Sequence, residues 1–125
     1  MDKELEQIIR KLIDKTNKGE VRWNKSDSPN EYRLSLDDGR ISAHLFSVKN
    51  PLGIGTITRV ECVVENLRGD VVLRGVANVD TEESALLYAL YDAAFRSYTG
   101  KDAVIKGIMG QLNGDGVIGE EDLQF

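Results

Sequence analysis

The residue types that most often carry out chemistry in proteins are scarce in this chain. Cys62 is the only cysteine and His44 is the only histidine, and both lie in strand-like segments rich in apolar residues. A lone thiol forms no internal disulfide, and a thiolate zinc site needs several cysteines. The acidic pairs Asp37–Asp38, Glu82–Glu83 and Glu120–Glu121 are adjacent in sequence, so their side chains diverge on a strand or helix. We therefore predict that the protein is not an enzyme and has no catalytic residues.

A short segment near the C-terminus has the residue types of a calcium loop. Residues 111–122 have the sequence Gln-Leu-Asn-Gly-Asp-Gly-Val-Ile-Gly-Glu-Glu-Asp. This segment resembles the EF-hand loop, in particular its dockerin variant, which places oxygen ligands at alternate positions and a glycine at the sixth. The resemblance implies a calcium site built from the following groups: Gln111, Asn113, Asp115, the backbone carbonyl of Val117, and Asp122.

Two interpretations of this loop stay open. Gln111 stands where the EF-hand loop has an acid, and the lost charge predicts a calcium affinity on the order of 10⁻⁴ M or weaker. Alternatively, Asn113–Gly116 is a turn that holds no ion, and the protein uses no cofactor. In both cases we predict a single domain over residues 1–125, in which residues 111–125 form a loop or tail.

The charge of the chain is concentrated near its C-terminus. The net charge is −5, while residues 80–125 alone contain three Lys or Arg and nine Asp or Glu. Such an acidic balance disfavours a nucleic-acid partner, because binding to phosphates needs basic surface. It is consistent with a cationic partner, with a metal ion near the C-terminus, or with a solvated acidic helix and tail. In acidity and architecture the chain is similar to small bacterial chaperone or immunity-type proteins.

Neither a membrane span nor a signal peptide is predicted. The apolar runs are only a few residues long, whereas a bilayer-crossing helix needs about 20. The N-terminus, Met1–Glu6, alternates charges, whereas a signal peptide would be apolar there. We therefore predict a cytoplasmic protein that does not bind membranes.

Three segments have the apolar spacing of a helix. The first stripe predicts a helix over residues 3–17; it consists of Leu5, Ile8, Ile9, Leu12 and Ile13. The second predicts a helix over 81–98, capped by Asp80 or Thr81 and ended by Gly100; it consists of Leu87, Leu90, Tyr91, Ala94, Phe95 and Tyr98. A shorter helix over 101–110 places four apolar residues on one side: Val104, Ile105, Ile108 and Met109.

Between the first two helices the apolar residues alternate with a period of two, which is typical of strands. Asp38–Gly39 predicts a hairpin turn, and Val71 and Leu73 are expected to share one face of the last strand. The pattern predicts an α+β fold: an N-terminal helix, a four- to five-stranded antiparallel meander over 21–79, and C-terminal helices packed on one sheet face. The other face is expected to present polar residues: Arg33, Ser42, His44, Arg59 or Arg74.

Because we predict no catalytic residues, these observations favour a protein-interaction or adaptor module. Its partner is either another protein or a second copy of the chain, reached through an open sheet edge or a helical face. The alternatives are a calcium-binding domain that uses residues 111–122 and a chaperone-like or immunity-type protein that binds a cationic partner.

Overall fold

The computed structural model describes residues 1–119 and has the predicted α+β layout. Helix α1 (Lys3–Asn17) is followed by five strands and two helices. The strands are β1 (Asn24–Lys25), β2 (Glu31–Ser35), β3 (Gly39–Lys49), β4 (Thr56–Asn66) and β5 (Val71–Asn78). A short 3₁₀ turn (Glu82–Ser84) then leads into α2 (Ala85–Thr99) and α3 (Lys101–Leu112).

Helix α1 begins and packs as its sequence predicts. The Asp2 carboxylate accepts hydrogen bonds from the backbone N–H groups of Glu4 and Leu5, at 2.8 and 3.1 Å. This cap satisfies two of the donors that a helix N-terminus leaves free. Leu5, Ile9 and Leu12 are buried, so the apolar stripe of α1 is part of the core.

The five strands form one antiparallel sheet in the order β1-β2-β3-β4-β5. Each strand pairs with its neighbour in sequence, which confirms the predicted meander. One sheet face is covered by α2, and α1 packs beside α2 and near β5. The largest fully buried side chains of the core are Leu5, Ile9, Val60, Cys62 and Leu90.

The sheet register places the predicted polar residues on the face away from the helices. His44 pairs with Glu31 of β2 and Glu61 of β4, one position out of phase with the buried Ala43 and Cys62 pair. The same alternation puts the rest of the predicted set on this outer face: Arg33, Ser42, Arg59 and Arg74.

Two local predictions are wrong. Val64 pairs with Leu73 but Glu65 pairs with Val71, so a bulge lies between them. An inserted residue reverses the alternation of faces, and Leu73 contacts the core while Val71 is exposed. The predicted start of the long helix is also wrong. Thr81 makes no side-chain capping bond to the helix, and its hydroxyl donates to the carbonyl of Asn78 instead.

Helix α3 continues the chain from α2 through a single glycine. Gly100 has the left-handed dihedrals φ 65° and ψ 30°, which glycine adopts readily and which end a helix. Its N–H donates to the Arg96 carbonyl and its own carbonyl accepts from the N–H of Val104. The break between α2 and α3 is therefore short, and α3 contacts α2 while none of its residues is buried by the rest of 1–119.

Candidate interaction surface

The residues predicted to bind calcium lie at the end of α3 and just beyond it. Gln111 is in the last helical turn, and its backbone carbonyl accepts a hydrogen bond from the N–H of Gly114 at 3.3 Å. Asn113, Asp115 and Val117 are exposed, and Asp122 lies outside the described residues. Within residues 1–119, no group of three or more His, Cys, Asp or Glu side chains could hold a metal ion. The calcium site stays a prediction.

Cys62 and His44 do not form a catalytic pair. Cys62 faces the core and is buried, and His44 lies on the outer sheet face. Burial raises the pKa of the Cys62 thiol to about 12, and the negative charge of Glu61 adds to the effect. A thiol with so high a pKa carries almost no thiolate at neutral pH, so it is a poor nucleophile.

The outer sheet face carries charges that pair with one another. His44 Nδ1 lies 3.7 Å from a Glu31 carboxylate oxygen, and the imidazole stacks on Phe46 with ring centres 4.9 Å apart. Arg33 contacts Glu31, and Arg74 contacts Glu61. Charge pairs on an exposed sheet are typical of a solvated surface and stabilise it only weakly. This face therefore offers no concentrated charge to a ligand.

An apolar stripe on α3 is the most unusual feature of the surface. It consists of five large side chains, each between 48 and 54% exposed: Val104, Ile105, Ile108, Met109 and Leu112. Their spacing of three and four residues puts them on one side of the helix. The same spacing in α1 packs into the core. In α3 the residues of 1–119 leave the stripe half open, and we call it the α3 stripe.

The opposite side of α3 is small or polar. The residues on that side are Ala103, Lys106, Gly107 and Gly110, whereas Asp102 lies at the edge of the apolar side, seven residues before Met109. Within residues 1–119, and apart from the backbone of α3 itself, a Cβ atom at Gly107 or Gly110 would meet no atom within 4 Å. The helix is therefore amphipathic. One side carries the α3 stripe, and the opposite side makes few contacts within residues 1–119.

A groove lies at the base of the α3 stripe, where α3 leaves α2. It has a volume of about 310 Å³ and is lined by Phe95, Thr99, Lys101, Val104 and Ile105. The Lys101 ammonium lies 5.9 Å from the centre of the Phe95 ring, a distance at which a cation is attracted to an aromatic face. The groove is apolar inside with a positive charge at its rim.

Other exposed apolar side chains lie elsewhere on the surface. Leu52 and Ile54, at the tip of the β3–β4 hairpin, are 95 and 102% exposed. Leu36 and Val72 line a second groove of about 310 Å³, but charged residues line it as well: Asp37, Asp38, Arg40 and Glu65. Tyr88, which lies off the apolar face of α2, is partly exposed and lines a shallow groove beside Thr56 and Asp80.

Comparison with known proteins gives no family for this chain. No protein-family model, no curated protein and no solved structure matches it. Within residues 1–119, no helix combines the length and apolar character needed to cross a membrane. The interpretation of the surface therefore depends on its own geometry.

The sequence predicted which residues form the α3 stripe but not that they are half exposed. Val104, Ile105, Ile108 and Met109 were expected on one side of a helix, and they are. The same prediction placed both C-terminal helices on the sheet. In the structure α2 packs on the sheet, whereas α3 contacts α2. Helical spacing shows which side chains share a face, but it carries no information on what lies opposite that face.

Proposed function

We propose that this protein is a non-enzymatic protein-interaction module that binds its partner through the α3 stripe. The observation that supports this proposal is the half-exposed row of five large apolar side chains on a single helix. Exposed apolar patches of about 300–600 Å² are often functional contact sites. Five half-exposed aliphatic side chains provide surface of that order.

The stability of short helices also supports an interaction role for α3. A helix of 12 residues is marginal in water unless one side packs against other groups. The helix also contains Gly107 and Gly110, and each glycine costs about 0.5–1 kcal/mol relative to alanine. A partner that covers the stripe supplies the missing packing, in the manner of an amphipathic helix bound in a groove.

Photo-crosslinking from within α3 tests the proposal. A photoreactive phenylalanine analogue replaces Ile105 in the full chain, and a control chain carries it at Lys106 on the opposite side. Both proteins are irradiated in cells in which the protein naturally occurs, and adducts are separated by mass. We expect discrete protein adducts from position 105 and few from position 106.

Equal labelling from the two positions, or none from either, contradicts the proposal. Circular dichroism of both purified proteins checks that the analogue leaves the fold intact. Because both positions lie within α3, a difference between them reports the side of the helix rather than the mobility of the segment.

A further inference from the structure

We infer that the partner of the α3 stripe is the α3 stripe of a second copy of this chain, packed antiparallel in a two-fold symmetric dimer. The inference rests on the proposed function and specifies its partner. Three observations support it: the charges near the two ends of the stripe, the groove at its base, and the place where α3 contacts α2. The area of the stripe then sets the expected strength of the dimer.

The stripe has opposite charges at its two ends. Lys101, Ile105, Ile108 and Leu112 follow one another in α3 at intervals of four, three and four residues, which is the spacing of a coiled-coil seam. The Asn113 N–H donates to the Met109 carbonyl, and the Gly114 N–H donates to the Gln111 carbonyl, so the chain turns tightly where α3 ends. Asp115 therefore lies just past the C-terminal end of the helix, three residues beyond Leu112.

These charges distinguish between the two ways of pairing the helices. In an antiparallel pair centred on Ile108, Lys101 at the N-terminal end of each α3 comes near Asp115, which lies just past the C-terminal end of the other copy's α3. The two copies then form two equivalent pairs of opposite charge. In a parallel pair each lysine would face a lysine and each aspartate an aspartate, which is unfavourable.

The groove at the base of the stripe fits the same arrangement. Antiparallel pairing about Ile108 brings Leu112 of one copy alongside Val104 of the other. Val104 lines the groove together with Phe95 and Ile105. A leucine from the second copy therefore meets an apolar depression rather than a flat helix surface, and symmetry provides two such contacts.

The contacts of α3 with α2 favour the antiparallel arrangement. A helix of 12 residues is about 18 Å long at 1.5 Å per residue. Phe95 and Thr99 of α2 line the groove with Val104, in the first half of α3. Antiparallel pairing therefore places the two α2–α3 junctions at opposite ends of the paired helices, whereas parallel pairing would bring them side by side.

The area of the stripe sets the expected affinity. Each copy contributes apolar surface on the order of 400 Å², the size of an exposed functional patch. The dimer then buries about 800 Å² in total, below the roughly 1,600 Å² of a standard stable interface. We therefore expect a reversible dimer with a dissociation constant in the micromolar range, about 1–100 μM.

Sedimentation equilibrium of the full chain between about 1 and 500 μM tests the inference. We expect the wild type to dimerise, Ile108→Glu to weaken the dimer at least about 100-fold, and Lys106→Glu on the opposite side to match the wild type. Lys101→Glu creates two like-charge pairs and should weaken the dimer about 5- to 20-fold. Adding Asp115→Lys to that variant should restore the wild-type affinity.

Three outcomes overturn the inference: a wild type that is monomeric at every concentration, a dimer that Ile108→Glu leaves unchanged, or a Lys101→Glu defect that Asp115→Lys does not repair. Circular dichroism confirms that Ile108→Glu is folded. A monomeric wild type that still gives adducts from position 105 separates the two proposals, because it refutes self-association while the interaction role of the stripe stands. Failure of both experiments refutes both.

Discussion

The substitutions Leu90→Ala and Leu112→Ala remove the same atoms from two very different environments. Leu90 lies at 0% exposure in α2, between the sheet and α1, whereas Leu112 is 53% exposed in α3. Truncating a fully buried leucine costs about 2–5 kcal/mol, through lost burial and the cavity that remains. At Leu112 no enclosed cavity forms and only part of the side chain is shielded, so we expect a loss of about 0.5–1 kcal/mol.

Urea unfolding followed by tryptophan fluorescence measures this difference directly. Trp23 is the only tryptophan, and it is buried, so its emission reports the loss of the core. A chain of this size should lose about 3–5 °C in melting temperature per kcal/mol, which provides a second readout. The protein is kept near 0.1 μM, about tenfold below the low end of the expected range of dissociation constants, so that dissociation contributes little to the measured stability.

A loss at Leu112 equal to the loss at Leu90 would refute the reasoning. It would show that Leu112 is fully covered in the monomer, and the α3 stripe could not then be a free contact surface. A loss below about 1 kcal/mol at Leu90 would instead mean that the apolar face of α2 does not support the core.

Three further outcomes are expected. Thr16→Val removes the acceptor of the buried Trp23 indole N–H, a 3.1 Å hydrogen bond, and should cost about 1–3 kcal/mol and speed indole proton exchange. Thr16→Ser keeps the acceptor oxygen and should preserve slow exchange. The pKa of Cys62 is raised from 9.0 to about 12, so its contribution to stability is complete below pH 9 and is lost between pH 9 and 12. Urea unfolding at pH 8 and pH 10 should show this loss, and Cys62→Ala should remove that part of it. Calorimetric titration of the full chain should show no calcium binding tighter than about 10⁻⁴ M, and heat that persists in Asp115→Ala would exclude the EF-hand interpretation.

Local sequence determined most of the secondary structure of this protein. The helix over Lys3–Asn17 has the predicted bounds, because apolar periodicity and turn residues act over a few neighbours. Leu90 is buried as its position on the α2 stripe indicated. The antiparallel order of the strands also follows from sequence, since the connections between them are short.

Interactions between distant segments decided the rest. The bulge near Val72 depends on how β5 pairs with β4, and it moved Val71 off the face of Leu73. The helix start at Thr81 failed because that hydroxyl bonds to the end of β5 instead. The separation of Cys62 from His44 likewise required the sheet register.

The α3 stripe shows most clearly which features the sequence determines and which depend on the tertiary structure. The sequence alone determined that α3 is amphipathic, because a 3.6-residue period fixes which side chains share a side of a helix. Only the tertiary structure decided that the stripe of α1 enters the core while that of α3 stays half exposed. The physical reason is that burial depends on the surface opposite a helix, and the face of the sheet that packs on helices is already covered by α2 with α1 beside it.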